Sequence, residues 1–403
     1  MNFMSKAGEL IRWLIWRTLQ LKFFGKIRPR VCHIPSFLIE GETKKGRSNL
    51  SIIVFARREI VEYFSKQLFT GNLKIRFLGR KAFREIPKLI ASNSPDIAIA
   101  NASDSFSEFF SSNLFFVAPL VDFTLDVSDQ WENILARMSR SKRKRIRKIQ
   151  GLGYTFEITN DRERLKSFYK EMYVPRVLKR HEKAARVVSF AECERLFQSG
   201  GLLLVKTKDG ACISGAIYVP HGDELYIPVL GISEVEQYLT EGGHTALHSL
   251  ILWAKQQGFK VIDYSISKPF LSDGIFCYKR EWGMKIKPYR GRDAEIYAIK
   301  FCNFNEGSRS FLSDNPFIVA SNGNDLRGLV LPDSNIKDLR ETYYTPGLSG
   351  LIVLFPSHDA PSIRYDQLKK PNLKSDSSKI SPSLKSFINL TFKSGYETYF
   401  FDF

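Results

Sequence analysis

The order of strand and helix patterns between residues 154 and 299 constrains the fold more than any other feature of the sequence. Strands are predicted where apolar residues alternate or form short runs, and helices where they recur every three or four residues. In chain order the patterns are the strand YTFEIT, helices near 161–184 and 189–199, the strands GLLLVK, ISGAIYV and ELYIPVLGI, a helix at about 244–257, the strand KVIDYS, a helix near 274–281, and strands around 284–289 and 294–299. This order predicts an α/β fold, with helices packed on a sheet.

The flanking segments carry further strand patterns. In residues 47–122, SIIVF and LKIRFLG are predicted strands, ARREIVEYFSKQL is a predicted helix, and LFFVAPLVDFTL is predicted to be one long strand. This alternation predicts a small α/β accessory domain. Residues 301–362 contain strand patterns such as PFIVA and GLIVLFP with one helix, which predict an accessory layer. Residues 363–403 are predicted to be a Lys/Ser/Pro-rich linker followed by an aromatic tail.

Residues 1–46 form a basic amphipathic N-terminal segment, with a predicted helix over 1–30. Trp13 and Trp16 lie beside arginines, which suits a helix in a lipid interface, although docking on the body of the protein is the favoured prediction. No apolar run approaches the ~20 residues that a spanning helix needs, so we predict no transmembrane segment. The expected location is cytoplasmic, with a peripheral position at the inner face of the membrane left open.

The chain is strongly basic. It has 60 Lys and Arg residues against 42 Asp and Glu residues, which leaves a formal net charge of +18. A surplus of this size attracts anionic partners, and nucleic acid, an anionic membrane, an acidic carrier protein and a phosphate-bearing cofactor all qualify. The five cysteines include no Cys-x-x-Cys pair, which excludes the usual zinc and disulfide patterns.

The densest positive charge lies in SRSKRKRIRKIQGLG, residues 139–153. On a helix these side chains surround most of the circumference, so they cannot all pair within the chain. Arg143, Arg145, Arg147 and Lys148 are therefore candidates for binding a phosphate of a substrate or a lipid headgroup. A solvated helix face or a nucleic-acid patch would give the same composition.

A second candidate site lies between ELYIPVLGI and the helix that follows it. Pro228 lacks an N–H, so it predicts a place where neighbouring strands separate. Gly242, Gly243 and Thr245 stand at the start of the helix, where backbone N–H groups and the helix dipole favour an anion such as a pyrophosphate. His244 and His248 stand four residues apart, but position 245 is Thr where a metalloprotease helix has Glu, so we predict no metal.

The third candidate site combines KVIDYSISKP, residues 260–269, with FCYKREWG, residues 276–283. A strand that ends in Asp263 is followed after a short loop by Tyr278, Lys279, Arg280, Trp282 and Gly283. With this signature, the chain from about 122 to 300 resembles N-acyltransferases of the FemAB-like branch of the GNAT superfamily. The basic helix that ends in glycine before a strand, at residues 139–153, is also similar to the opening of the catalytic half in that family.

The resemblance implies a GNAT-like acyltransferase domain with a mixed sheet over residues 123–300, beside a smaller N-terminal α/β unit in what could be a tandem arrangement. It also implies transfer of an acyl group from a thioester carrier to an amine by direct attack. Asp263 is then the candidate for orienting or deprotonating the amine, and Tyr226 or Tyr278 for protonating the leaving thiolate. Lys279 and Arg280 are the candidates for holding an anion or the oxyanion.

Cofactors and partners follow from the same resemblance. We expect no tightly bound cofactor, with acyl-CoA or acyl carrier protein as the co-substrate and a small-molecule or cell-envelope amine as the acceptor. The resemblance also allows an aminoacyl-tRNA donor and a peptidoglycan acceptor. The alternative from another class is a non-catalytic protein whose basic surface binds nucleic acid or an anionic membrane. The basic stretch contains no aromatic residue, which counts against binding of single strands.

Overall fold

The computed structural model describes residues 33–44, 48–101, 114–117, 120–181, 187–239, 241–289, 297–320, 325–332, 338–357, 368–369 and 393–403. The predicted helix at 1–30 and most of the predicted Lys/Ser/Pro-rich linker lie outside these residues. No helix in the described ranges is long and apolar enough to cross a membrane.

The described residues form strands and helices that follow each other along the chain. The strands are β1 (His33–Thr43), β2 (Asn49–Phe55), β3 (Phe69–Ala82), β4 (Ile97–Asn101), β5 (Leu114–Val117), β6 (Val121–Asp126), β7 (Thr155–Thr159), β8 (Gly201–Lys206), β9 (Cys212–His221), β10 (Glu224–Ile232), β11 (Val261–Ser267), β12 (Lys285–Pro288), β13 (Tyr297–Phe301), β14 (Phe317–Ala320), β15 (Leu326–Val330), β16 (Gly350–Pro356), β17 (Leu368–Lys369) and β18 (Tyr396–Asp402). The helices are α1 (Arg58–Leu68), α2 (Ile86–Asn93), α3 (Trp131–Arg137), α4 (Arg140–Gly151), α5 (Arg162–Ser167), α6 (Val174–His181), α7 (Phe190–Gln198), α8 (Glu236–Leu239), α9 (Gly242–Gln256), α10 (Gly274–Glu281), α11 (Glu306–Asp314) and α12 (Leu339–Tyr343). A 3-10 turn (Phe83–Glu85) precedes α2, and a π-helix (Phe168–Tyr173) joins α5 to α6.

The described residues form two sheets, and the smaller one has seven strands in the order β12-β6-β11-β10-β9-β8-β7. Its pairings are antiparallel except for β10 and β11, which run parallel. The sheet is therefore mixed, as predicted, and ELYIPVLGI and KVIDYS are neighbours in it. The expected α/β fold class is confirmed.

The larger sheet has eleven strands in the part of the chain that the structure describes, in the order β17-β18-β16-β15-β14-β5-β13-β4-β2-β1-β3. It contains strands from the predicted accessory domain, residues 47–122, and from the predicted accessory layer, residues 301–362. These two predicted segments are therefore parts of one sheet. The strand predicted at 294–299 is β13, which pairs with β4 and β5 in this larger sheet and not with the GNAT-like sheet. Its residues YAIKF are mostly buried, and an apolar run of this kind does not specify which sheet it joins.

The run LFFVAPLVDFTL, predicted as one long strand, is divided between the two sheets. Its first half is β5 in the larger sheet, and its second half is β6 in the smaller sheet. The run contains Pro119, which has no N–H to donate to a strand ladder. The chain therefore passes from the larger to the smaller sheet between β5 and β6, and it returns between β12 and β13.

The two sheets share a hydrophobic core on one face of the smaller sheet. The buried cluster there includes Phe123 and Trp282 from the smaller unit and Val330 and Leu351 from the larger sheet. Helices α3, α4, α9 and α10 contribute to the same cluster. Backbone hydrogen bonds also join the two parts, since Leu271 N–H donates to the Pro316 carbonyl at 2.8 Å.

The opposite face of the smaller sheet is covered differently. Side chains from α5, the π-helix and α7 pack on β8, β9 and β10 there. Gly231 permits this close packing, because a Cβ atom at this position would lie 2.6 Å from a ring carbon of Phe168. Among the described residues, this cluster includes no side chain of β11, β6 or β12. On this face, the described helices therefore cover β8, β9 and β10 and leave β11, β6 and β12 uncovered.

Candidate active site

Strands β10 and β11 separate in the middle of the smaller sheet. They pair over three residues each, from Glu224 to Tyr226 and from Val261 to Asp263. Beyond that point β10 continues along β9, with a register shift between Tyr226 and Val229, while β11 continues along β6. Pro228 stands inside this shift, so the separation occurs where the sequence predicts it.

A row of polar side chains crosses the sheet at the point of separation. Tyr226 lies opposite Asp263, which lies opposite Thr124, and Thr124 lies opposite Lys285. Directly opposed residues project from the same face of a sheet, and residues two apart on one strand share that face. We call this set the polar floor, and its members are Tyr226, Asp263, Thr124, Asp122, Lys285 and Lys287. It lies on the face that carries the π-helix, because the alternate residues Phe123, Ile262 and Ile286 are buried in the shared core on the other face.

The backbone of β11 makes a local turn, or bulge, at residues 264–266 just after Asp263, where its register with β6 shifts. Ser265 has a φ of 61°, in the left-handed region that non-glycine residues seldom occupy. The turn is held by its own contacts, because Ser265 N–H donates to Asp263 Oδ1 at 2.9 Å. Lys279 Nζ donates to the carbonyls of Ser265 and Ile266, at 3.0 and 2.9 Å. Unfavourable backbone conformations of this kind cluster at functional sites, which supports a functional role for this turn.

The acidic groups of the polar floor influence each other. Burial raises the pKa of the Asp122 carboxyl and the negative charge of Asp263 adds to this rise, while Lys287 and Lys279 oppose it. Burial also raises the pKa of the Tyr226 hydroxyl, a hydrogen bond with Ser265 opposes the rise, and the charges of Asp263 and Asp122 add to it. Tyr226 therefore stays protonated at neutral pH and can act as a proton donor.

Lys279 lies on the shared-core face of the sheet, opposite the polar floor, and does not line the site. Its side chain is buried, with Nζ 5.1 Å from the ring centre of Phe123 and 5.6 Å from that of Tyr264. Burial lowers its pKa to about 7, although Asp263 and Asp122 favour the charged form. The ammonium group binds backbone carbonyls, so the structure does not place it where the sequence predicts, in a cleft that holds a substrate anion.

The other residues of the YKREWG signature face away from the polar floor. Tyr278 packs with the shared core, and its hydroxyl donates to the Gly243 carbonyl at 3.0 Å. Arg280 donates to the carbonyl of Thr342 at 2.5 Å, which directs it towards α12. The structure therefore does not bring Tyr278 and Arg280 into a common cleft with Asp263, because successive residues of α10 point in different directions.

The glycines at the start of α9 serve close packing. A Cβ atom on Gly242 would lie 2.6 Å from the Ile232 side chain, and one on Gly243 would lie 3.1 Å from it. Thr245 is buried, and its hydroxyl donates to the Glu241 carbonyl at 2.9 Å. These contacts are with the protein's own chain, so the predicted phosphate-binding role of the three residues stays a prediction.

The basic helix α4 faces an internal carboxylate. Lys148 Nζ donates to Glu241 Oε1 at 2.5 Å, and Arg145 lies 4.0 Å from the same oxygen. Arg143 donates to the Met138 carbonyl at 2.6 Å, while Arg147 is exposed. Of the four predicted anion-binding residues, two are thus directed at the carboxylate next to α9, one is directed at the backbone, and one points to solvent.

The structure thus unites Asp263 and Tyr226 with residues that the sequence analysis did not select. Asp122, Thr124, Lys285 and Lys287 complete the polar floor. The signal for Asp122 was present in VDFTLD, where polar residues alternate with Val, Phe and Leu and predict a strand with one polar face. Which polar face lies beside Asp263 depends on the pairing of β6 with β11, and local alternation does not encode that pairing.

No family model matches the sequence, and no curated protein matches it. Solved structures similar to the chain include FemX, at 12% identity and a TM-score of 0.37 over 65% of this chain and 83% of FemX. L-PGS from Bacillus licheniformis is 14% identical, with a TM-score of 0.34 over 66% of this chain and 84% of that chain. A GCN5-related N-acetyltransferase from Sphaerobacter thermophilus is 10% identical, with a TM-score of 0.29 over 62% and 71% of the two chains.

The mixed seven-stranded sheet, with its one parallel pair that separates, has the arrangement implied by the sequence resemblance. The fold resembles that of FemAB-like and GNAT-type proteins, at low sequence identity.

Proposed function

We propose that the chain is an N-acyltransferase that transfers an acyl or aminoacyl group to an amine on the polar floor. The observation that carries the proposal is the position of Tyr226 beside Asp263, in the last residue pair before β10 and β11 separate. A potential proton donor and a carboxylate are thereby held side by side at an opening in the sheet. The third acidic group, Asp122, lies close enough for its charge to affect Tyr226.

The chemistry requires one proton to be removed and one to be supplied. The amine nitrogen attacks the carbonyl carbon of the donor, and Asp263 accepts the proton that the nitrogen loses. The bond from the carbonyl carbon to the leaving sulfur or oxygen then breaks, and the leaving group takes its proton from Tyr226. Asp263 returns its proton to Tyr226 after the product departs. The raised pKa of Tyr226 keeps the hydroxyl protonated at neutral pH until the leaving group departs.

The donor is an acyl thioester or an aminoacyl ester. The contacts of Glu241 with Lys148 and Arg145 favour a donor whose phosphates bind elsewhere than at the start of α9. An acyl carrier protein and an aminoacyl-tRNA both meet this condition, and the net charge of +18 suits either partner. The alternative of a purely basic binding protein loses support, because two of the predicted anion-binding residues are directed at Glu241 and because the acid groups of the polar floor have no role in it.

The test is a transfer assay with a donor panel of acyl-CoA, acyl carrier protein and aminoacyl-tRNA and an acceptor panel of primary amines, read by mass spectrometry. We expect Asp263→Asn to lower the rate by about 10²–10⁴-fold, the contribution typical of a general base. The amide oxygen of Asn can still accept from Ser265 N–H, so the fold is preserved. Asp209→Asn, in an exposed turn, is the matched control and retains full activity. Wild-type rates in Asp263→Asn would exclude this residue from the mechanism.

A further inference from the structure

Two lysines stand at the outer end of the polar floor. Both are on β12, where Lys285 lies opposite Thr124 of β6 and Lys287 lies opposite Asp122 of β6. Both are exposed, while Ile286 between them is buried in the shared core. Their side chains therefore project from the face that carries Asp263 and Tyr226.

The lysines do not protect an open sheet edge. Lysine on an edge strand commonly prevents pairing with another chain. The edge of β12 is already occupied, because Ile286 N–H donates to the Pro346 carbonyl at 2.8 Å. Gly347 lies against the Ile286 carbonyl so closely that a Cβ atom there would overlap it. Since the chain itself covers this edge, preventing edge pairing does not account for the two lysines.

Charges of opposite sign lie on separate strands of the polar floor. Asp263 lies on β11 and the lysines lie on β12, with β6 between them. Neighbouring strands are about 4.8 Å apart, so these two positions are roughly 10 Å apart. The charge of Asp122 interacts with Lys287, while Lys285 lies opposite the uncharged Thr124. An acceptor with an amine at one end and an anion at the other complements this pattern.

We propose that Lys285 and Lys287 bind an anionic group of the acceptor, so that the substrate class is amines carrying a carboxylate or phosphate about 5–10 Å from the nitrogen. This inference rests on the proposed function, because it takes Asp263 as the position of the reacting amine. It adds a specificity site at the far end of the floor, on a strand that contributes no group to the proposed proton transfers.

The experiment measures binding in the absence of a donor, with 6-aminohexanoate, 6-aminohexyl phosphate and the uncharged-end analogue hexylamine as probes. Calorimetry at low salt is expected to show that the anionic amines bind the wild-type chain about fivefold to tenfold more tightly than hexylamine, as two exposed charge contacts allow. The variant carrying both Lys285→Gln and Lys287→Gln loses this preference and binds hexylamine as before. Lys74→Gln, on the exposed strand β3, is the matched control and keeps it.

The carboxylate and phosphate probes distinguish which anion the site favours. Equal binding of hexylamine and both anionic amines to the wild-type chain would overturn the inference, and so would a preference that survives in the double variant. A preference that depends on the two lysines, without transfer from any donor, would support the anion site and contradict the proposed enzyme activity. Transfer that depends on Asp263 but is equally fast with anionic and uncharged amines would support the enzyme activity and contradict the anion site.

Discussion

At the scale of single residues, Lys279 shows how a buried charge can build a site without lining it. Its ammonium group binds the two carbonyls of the turn that follows Asp263. That turn contains Ser265 in a left-handed conformation, whose N–H group in turn binds Asp263. The position of the candidate base therefore depends on a lysine on the other face of the sheet.

Lys279 should make stability depend on pH. Its pKa is about 7 in the folded chain against about 10.4 in an unfolded one, so the unfolded state binds more protons between these values. The stability contributed by this residue therefore rises as the pH rises from 7 to about 10. In Lys279→Met we expect this part of the rise to disappear, which denaturant titrations at pH 7, 8.5 and 10 would measure. Lys88→Met, at an exposed position, should keep the wild-type dependence, and the same dependence in Lys279→Met would contradict the burial of the charge.

At the scale of elements, α4 and α9 are joined by Glu241. Its carboxylate accepts from Lys148 and from the hydroxyl of Tyr154, at 2.5 and 3.3 Å. The hydrogen bond from Lys148 is the main cause that lowers the pKa of Glu241. The contact thus attaches the basic helix to the beginning of the helix that packs on the sheet.

Glu241→Gln should loosen this attachment. Because Lys148 is largely exposed, we expect a loss of only about 0.5–1 kcal/mol in the free energy of unfolding at pH 7. A carboxyl whose pKa is lowered on folding stabilises the folded state above its unfolded pKa of about 4.3. This stabilisation is lost as the pH falls through the folded pKa. The difference between wild type and variant should therefore shrink below about pH 4. Glu163→Gln, which removes an exposed pair within α5, provides the comparison, and an undiminished difference at pH 3 would contradict the ion pair.

Six of the seven strands of the smaller sheet were predictable because each carries its own apolar pattern, whereas β6 was predicted as one strand with β5. Pro228 even marked the place where β10 and β11 separate. The assignment of β13 to the larger sheet was not predictable, because YAIKF is compatible with any central strand. The same limit applies to the site, where Asp263 was found from its motif but Asp122 required the pairing of β6 with β11. The directions of Lys279 and Arg280 required the orientation of α10, which neighbouring elements determine.

At the scale of the whole molecule, the two sheets depend on each other through the edge of β12. Gly347 follows the residue that binds this edge, and its φ is 97°. The polar floor ends on the same strand. A disturbance at this junction should therefore affect both the shared core and the candidate acceptor site.

Gly347→Ala should test the junction. Alanine in a left-handed conformation costs about 1–2 kcal/mol, and the overlap of its Cβ with the Ile286 carbonyl should add about 1–3 kcal/mol. Gly395→Ala is the matched control, because its φ is 79° and no atom lies within 4 Å of the added Cβ. Chemical denaturation should show a clearly larger loss in the free energy of unfolding for Gly347→Ala. Equal losses in the two variants would indicate that the backbone at the junction shifts to accommodate the added Cβ.

The passage of the chain between the sheets has a consequence for folding during synthesis. All strands of the smaller sheet come from residues 121–288, so this sheet can form as soon as that stretch has left the ribosome. In the larger sheet, β4 and β5 have β13 between them, nearly 200 residues further along the chain from β4. The backbone edges of these early strands must therefore wait unpaired while the smaller sheet is made, and long-range pairings of this kind are slow and prone to aggregation. The strands of the sheet that carries the candidate active site would therefore pair before the larger sheet is complete, and the larger sheet then completes the shared core.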